Sequence, residues 1–107
     1  MEFKRAANEH EAKKIMELQF QHDDDFIFLG SFFTNSNINI IHWQQTDNEG
    51  EIIRQLSVVK FNYDLTLLPI EDNVIDEIAR SFIGERYEVK CQQNKIYVIK
   101  EVKRFVC

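Results

Sequence analysis

Phe26-Ile27-Phe28-Leu29-Gly30-Ser31-Phe32-Phe33-Thr34-Asn35-Ser36-Asn37-Ile38-Asn39-Ile40-Ile41-His42-Trp43 is the stretch that decides how this chain folds. Residues 26–33 are aromatic and apolar at both parities, the pattern of a strand covered on both faces. Thr34-Asn35-Ser36-Asn37 has turn chemistry, because short polar side chains bond their own backbone and Asn tolerates the left-handed region. Residues 38–43 then read as a second strand, so the stretch is predicted to be a hairpin. Thr46-Asp47-Asn48-Glu49-Gly50 is the next turn. Residues 51–63 follow as a longer third strand carrying Ile52, Ile53, Leu56, Val58, Val59 and Phe61. The three strands make an antiparallel meander.

On the N-terminal side, Asn8 followed three residues later by Glu11 resembles a capping box, and Ala12, Ile15, Met16 and Phe20 recur at helical spacing. The spacing predicts a helix over residues 8–21. The Asp23-Asp24-Asp25 run ends it, since carboxylates are unfavourable at the negative end of the helix dipole. On the C-terminal side, Pro69 precedes a second helix whose apolar set is Val74, Ile75, Ile78, Ala79, Phe82 and Ile83. Asp72 or Asn73 is placed to cap that helix and Gly84 to stop it. Residues 87–91 and 96–99 flank Gln93-Asn94 as a C-terminal hairpin, with Cys91 beside Ile96 and Val89 beside Val98. The expected order is α-β-β-β-α-β-β. This describes one α+β domain over residues 1–107: an antiparallel sheet, built from a three-stranded meander plus a C-terminal hairpin, with two helices.

With 107 residues, 44% hydrophobic and 29% charged, the chain has the composition of a soluble globular domain. A net charge of -5 and a pI near 5.1 oppose general binding to nucleic acid or anionic membrane. No apolar run approaches the length of a membrane span, and the charged start Met1-Glu2-Phe3-Lys4-Arg5 leads into polar sequence instead of a signal-peptide core. A cytoplasmic protein is expected. Cys91 and Cys107 lack metal-ligand spacing, and the hairpin sets them far apart, so neither zinc nor an intramolecular disulfide is expected.

Charge is divided along the chain. From Ile15 to Ile53 there is no Lys or Arg, while Glu17, Asp23, Asp24, Asp25, Asp47, Glu49 and Glu51 fall there. Residues 85–107 carry Arg86, Lys90, Lys95, Lys100, Lys103 and Arg104. Within the hairpin these basic residues occupy both parities, which suits edge protection better than a phosphate-binding strip. The acids lie mainly in connections, where side chains can meet a partner. A meander sets the Asp23–Asp25 run and the Asp47–Glu49 turn at the same end of the sheet.

Catalytic signatures are missing: no glycine-rich phosphate loop, nucleophile elbow, His-Glu-x-x-His or Cys/His cluster occurs. His22-Asp23-Asp24-Asp25 could in principle hold a cation. Consecutive extended residues point to alternate sides, however, so a solvated acidic loop is the better account. His42 beside Ile38 and Ile40 reads as a core histidine.

The expectation is a non-catalytic protein-binding module with no cofactor, no metal and no catalytic residue. It would be a small acidic inhibitor, immunity-like or anti-defence, covering a basic or nucleic-acid-handling surface of a partner protein. The contact charges are Asp23, Asp24, Asp25, Asp47 and Glu49, with Trp43 as apolar anchor, on a monomer or homodimer. Two alternatives are kept: nucleic-acid binding through the basic C-terminal hairpin with Lys100, Lys103 and Arg104, or a small metal-dependent enzyme built on His22 and the aspartates.

Overall fold

The computed structural model describes residues 1–5, 8–10, 12, 14, 26–92 and 95–103. Strand β1 is Phe3–Arg5, β2 Ile27–Thr34, β3 Ile38–Thr46, β4 Ile52–Phe61 and β5 Leu67–Leu68. Helix α1 is Asp72–Phe82, followed by β6 Tyr87–Gln92 and β7 Ile96–Glu101. The strands form one seven-stranded sheet in the order β1-β2-β3-β4-β7-β6, with β5 paired to β4, and every pairing is antiparallel. Since β7 runs antiparallel to both neighbours, β6 runs parallel to β4 with β7 inserted between them.

The meander forms as expected. At its first turn Thr34 Oγ1 accepts from the N–H groups of Ser36 and Ile38 at 3.2 and 3.3 Å, and Asn37 takes the left-handed conformation at φ 60. The β3–β4 register is unbroken from Ile38↔Lys60 to Thr46↔Ile52. In β2 the register shifts between Phe28 and Gly30, so Leu29 is bulged and half its neighbours change face. β2 is not covered evenly on both faces: Ile27, Leu29 and Phe33 reach solvent.

Three expectations are corrected. Two helices were expected, and one is present among the described residues; most of the 8–21 segment lies outside them. Its described part includes one helical bond, Ala12 N–H to the Asn8 carbonyl at 3.1 Å. The C-terminal hairpin is shifted by one residue, pairing Val89↔Ile99 and Cys91↔Tyr97. Three residues, 93–95, connect its strands in place of two, with Lys95 N–H donating to the Gln92 carbonyl at 3.2 Å. The N-cap of α1 is Glu71 in extended conformation, not Asp72 or Asn73, and its side chain makes no cap bond. Asp72 instead stands in the first turn, where its charge suits the dipole. The stop is as expected: Gly84, at φ 133, donates to the Ala79 carbonyl at 3.0 Å.

The two sheet faces differ. On one, Ile75, Ile78 and Ala79 of α1 pack on Ile38, Ile40, Leu56, Val58 and Ile99. Burying such residues contributes about 1.5–3 kcal/mol per large side chain. Phe82, in the last turn of α1, meets Phe3 at 5.2 Å, Phe32 at 5.0 Å and His42 at 5.5 Å between ring centroids, which docks the helix end on β1, β2 and β3. On the other face the described residues include a smaller cluster of Ala12, Phe26, Ile41 and Trp43, and Ile53, Ser57 and Val59 of β4 are also buried.

Candidate partner-binding site

The turn between β3 and β4 is built around one carboxylate. Asp47 Oδ1 accepts from the backbone N–H groups of Glu49 and Glu51 at 2.9 and 2.8 Å. Asp47 N–H donates to the Glu51 carbonyl at 2.8 Å, and Gly50 closes the loop at φ 83. Asp47 is therefore spent partly on holding the turn, the ordinary use of an Asp in this position. The exposed Glu49 and half-buried Glu51 are held on a rigid frame.

Pairing of β7 with β4, through Gln55↔Lys100 and Leu56↔Ile99, brings the C-terminal hairpin beside this turn. A groove of about 350 Å³ results, lined by Asp47, Glu49, Glu51, Glu88 and Glu101 together with Lys100 and Lys103. Five acidic residues and two lysines line it, so the groove is acidic on balance. Glu101 is largely enclosed: Arg54 Nη2 lies 3.2 Å from its Oε2 and Lys103 Nζ 3.7 Å from its Oε1. Glu88 is exposed, and the register sets it opposite Lys100.

Sequence reasoning named Asp47 and Glu49 but missed Glu88 and Glu101 as members of the same site. The signal for them was only the predicted hairpin; which strand it would pair with is a long-range choice that local pattern does not carry. The Asp23–Asp25 run lies outside the described residues. The chain that follows it enters β2 where β3 ends, at Ile27↔Gln44, which is the end of the sheet that carries the Asp47 turn.

Trp43, expected as an apolar anchor, is 6% exposed. Its ring meets Phe26 edge-on at 6.0 Å and its Nε1 donates to Ser57 Oγ at 3.2 Å, so it serves the core and is not presented to a partner. The most exposed apolar groups lie at the opposite end of the sheet. There Tyr63 is 98% and Leu65 76% exposed on the loop from β4 to β5, beside Phe33. Backbone bonds from Asn62 N–H to the Thr66 carbonyl and from Leu65 N–H to the Asn62 carbonyl, both 3.0 Å, fix that loop.

His42 lies on the α1 face with Ile38 and Ile40, as its parity predicted. Burial, and then the Arg54 charge, lower its pKa, while Glu101 opposes the shift. Its Nε2 is buried without a hydrogen-bond partner among the described residues. Among those residues no group of His, Cys, Asp and Glu is arranged to hold a metal ion; His22 lies outside them. The α1 helix is not long and apolar enough to cross a membrane. Cys91 is an exposed thiol, and Cys107 lies outside the described residues. Compared with protein-family models, curated proteins and solved structures, the chain matches none.

Proposed function

We propose that this protein is a non-catalytic binding module whose acidic groove engages lysine and arginine side chains on a partner protein, in the manner of a small inhibitor. The observation that carries this reading is the convergence of Asp47, Glu49, Glu51, Glu88 and Glu101 from a turn and two strands on one groove. Such a concentration of one sign of charge steers a basic partner and raises its association rate. The rigid turn adds preorganisation, because Glu49 and Glu51 need little ordering on contact. Immunity-like or anti-defence action is the biological setting in which a small acidic blocker of a basic surface is most useful, and it enters here as a class of role.

The test is kinetic. Association of the whole chain with an immobilised lysine- and arginine-rich peptide is measured at rising salt, for the native protein and for Glu49→Gln/Glu51→Gln. Asp47 is left alone because it holds the turn. The expected result is a rate that falls with salt and is lower in the variant by on the order of tenfold at low salt. Equal rates for the two proteins would overturn the reading.

A further inference from the structure

Strand β6 ends the sheet, and no described strand pairs with its outer side. From Glu88 to Gln92 it is exposed, with Val89 at 39%. Two hydrogen bonds, one at each end, say which of its backbone groups face outward. Val102 N–H donates to the Arg86 carbonyl at 3.1 Å, and Lys95 N–H donates to the Gln92 carbonyl at 3.2 Å. Even-numbered residues therefore turn their main chain toward β7. Because bonding alternates along an antiparallel ladder, Tyr87, Val89 and Cys91 direct theirs outward. An edge of this kind is a template for another strand.

The sequence of β6 suits its own antiparallel copy. A two-fold axis normal to the sheet keeps both α1 helices on the same side and must pass through a residue, so that opposed side chains share a face. Centred on Glu88, it opposes Glu88 to Glu88 and Arg86 to Lys90. Centred on Lys90, it opposes Lys90 to Lys90. Centred on Val89, it opposes Glu88 to Lys90 twice, Tyr87 to Cys91 twice and Val89 to itself. Centring on Tyr87 would also oppose Arg86 to Glu88, but it uses residues before the strand begins. Of the three registers centred on Glu88, Val89 and Lys90, only that on Val89 matches opposite charges, and it forms the hydrogen-bonded pairs from the outward-facing groups of Tyr87, Val89 and Cys91. The two Glu88–Lys90 contacts fall at the closer, non-hydrogen-bonded pairs, about 4.5 Å between Cα atoms. Val89 stands opposite Ile99 on the α1 face, so the contact of two Val89 side chains continues the apolar side of the sheet.

We infer that the protein forms a symmetric homodimer through β6, joining two sheets into one around an axis at Val89. The contact is small beside the 1,200–2,000 Å² or so of a stable interface, so the dimer is reversible and concentration-dependent. Glu88 also lines the acidic groove, so the two readings share that residue; the dimer is read by mass and the groove by peptide binding with Glu49 and Glu51 variants, which keeps their failures distinguishable.

The experiment is sedimentation velocity on the whole chain under reducing conditions, for the native protein, Glu88→Lys, Lys90→Glu and an equimolar mixture of the two variants. Both changes are at exposed positions, and unchanged far-ultraviolet dichroism verifies the fold. The expected result is a native monomer–dimer equilibrium, dimerisation weakened at least about tenfold in each variant alone, and recovery in the mixture, where each Lys meets a Glu. A native protein that stays monomeric up to millimolar concentration, a variant that dimerises as tightly as the native chain, or a mixture without recovery would each overturn the proposal. A second arm uses Val89→Cys in a Cys91→Ser/Cys107→Ser background. On-axis Cα atoms about 5.5 Å apart are within disulfide reach, so oxidation gives a covalent dimer. Lys90→Cys in the same background, offset from the axis, does not. Equal cross-linking of the two would also contradict the register.

Discussion

The indole N–H of Trp43 donates to Ser57 Oγ at 3.2 Å, tying β3 to β4 on the face away from α1. Both residues are buried. Ser57→Ala removes this acceptor from a buried donor, which costs about 1–3 kcal/mol. Denaturant unfolding, followed by emission of the single tryptophan, measures that loss. The emission maximum of the folded variant stays that of a buried indole, because Phe26 and Ala12 still cover the ring.

Gly30 is a space requirement and not a turn. A Cβ built there stands 2.8 and 2.9 Å from the Phe32 ring, which is itself packed on Phe82 at 5.0 Å and lies under Arg5 at 5.4 Å. Gly30→Ala must push the ring out of this cluster, at a cost of about 1–3 kcal/mol. Thermal or denaturant unfolding checks it, and Phe32→Leu in the same background is expected to recover part of the loss.

His42 gives the stability a pH dependence of known sign. Its pKa is lowered in the folded chain by burial first and by Arg54 second, against the opposing charge of Glu101; from α1 it meets the uncharged Phe82. As pH falls through about 6.5, the unfolded chain takes up its proton before the folded chain does. The contribution is therefore complete above that pH and is lost as pH drops through the lower folded value. Between about pH 7.5 and pH 5 the native protein loses more stability than His42→Gln, measured by unfolding at each pH. A steeper loss in the variant would reverse the assignment.

Much of the fold was legible because its signals are local. The i, i+3, i+4 spacing from Val74 to Ile83 identified α1, and Thr34–Asn37 identified the first hairpin with its turn. What was not legible depended on distance or on a count of one residue. Phe3–Arg5 is too short to show a period, yet it pairs with β2 through Phe3↔Thr34. The bulge at Leu29 and the third loop residue at 93–95 each move one residue, and each changes which side chains share a face. The site was half legible for the same reason. Asp47 and Glu49 announce themselves in a turn, whereas Glu88 and Glu101 join them only because β7 chose β4. Trp43 could be placed on a strand face, but its burial rests on Phe26 and Ala12 arriving from outside that strand.

Leu65 holds φ 64, a left-handed conformation that an ordinary side chain adopts at a cost of roughly 1 kcal/mol. Its side chain is largely exposed and repays little of that through burial. Leu65→Asn is expected to stabilise the protein by about 0.5–1 kcal/mol, since Asn tolerates this region. Unfolding midpoints at equal slope measure it.

The acidic groove is most directly tested by mapping. Backbone amide resonances of the ¹⁵N-labelled chain are followed while an arginine-rich peptide is added at low salt. The account predicts that the largest shifts fall on the Asp47–Glu51 turn, Glu88 and Glu101 and vanish as salt is raised. Shifts spread over the whole acidic surface, or concentrated away from the groove at the Tyr63–Leu65 loop, would contradict it.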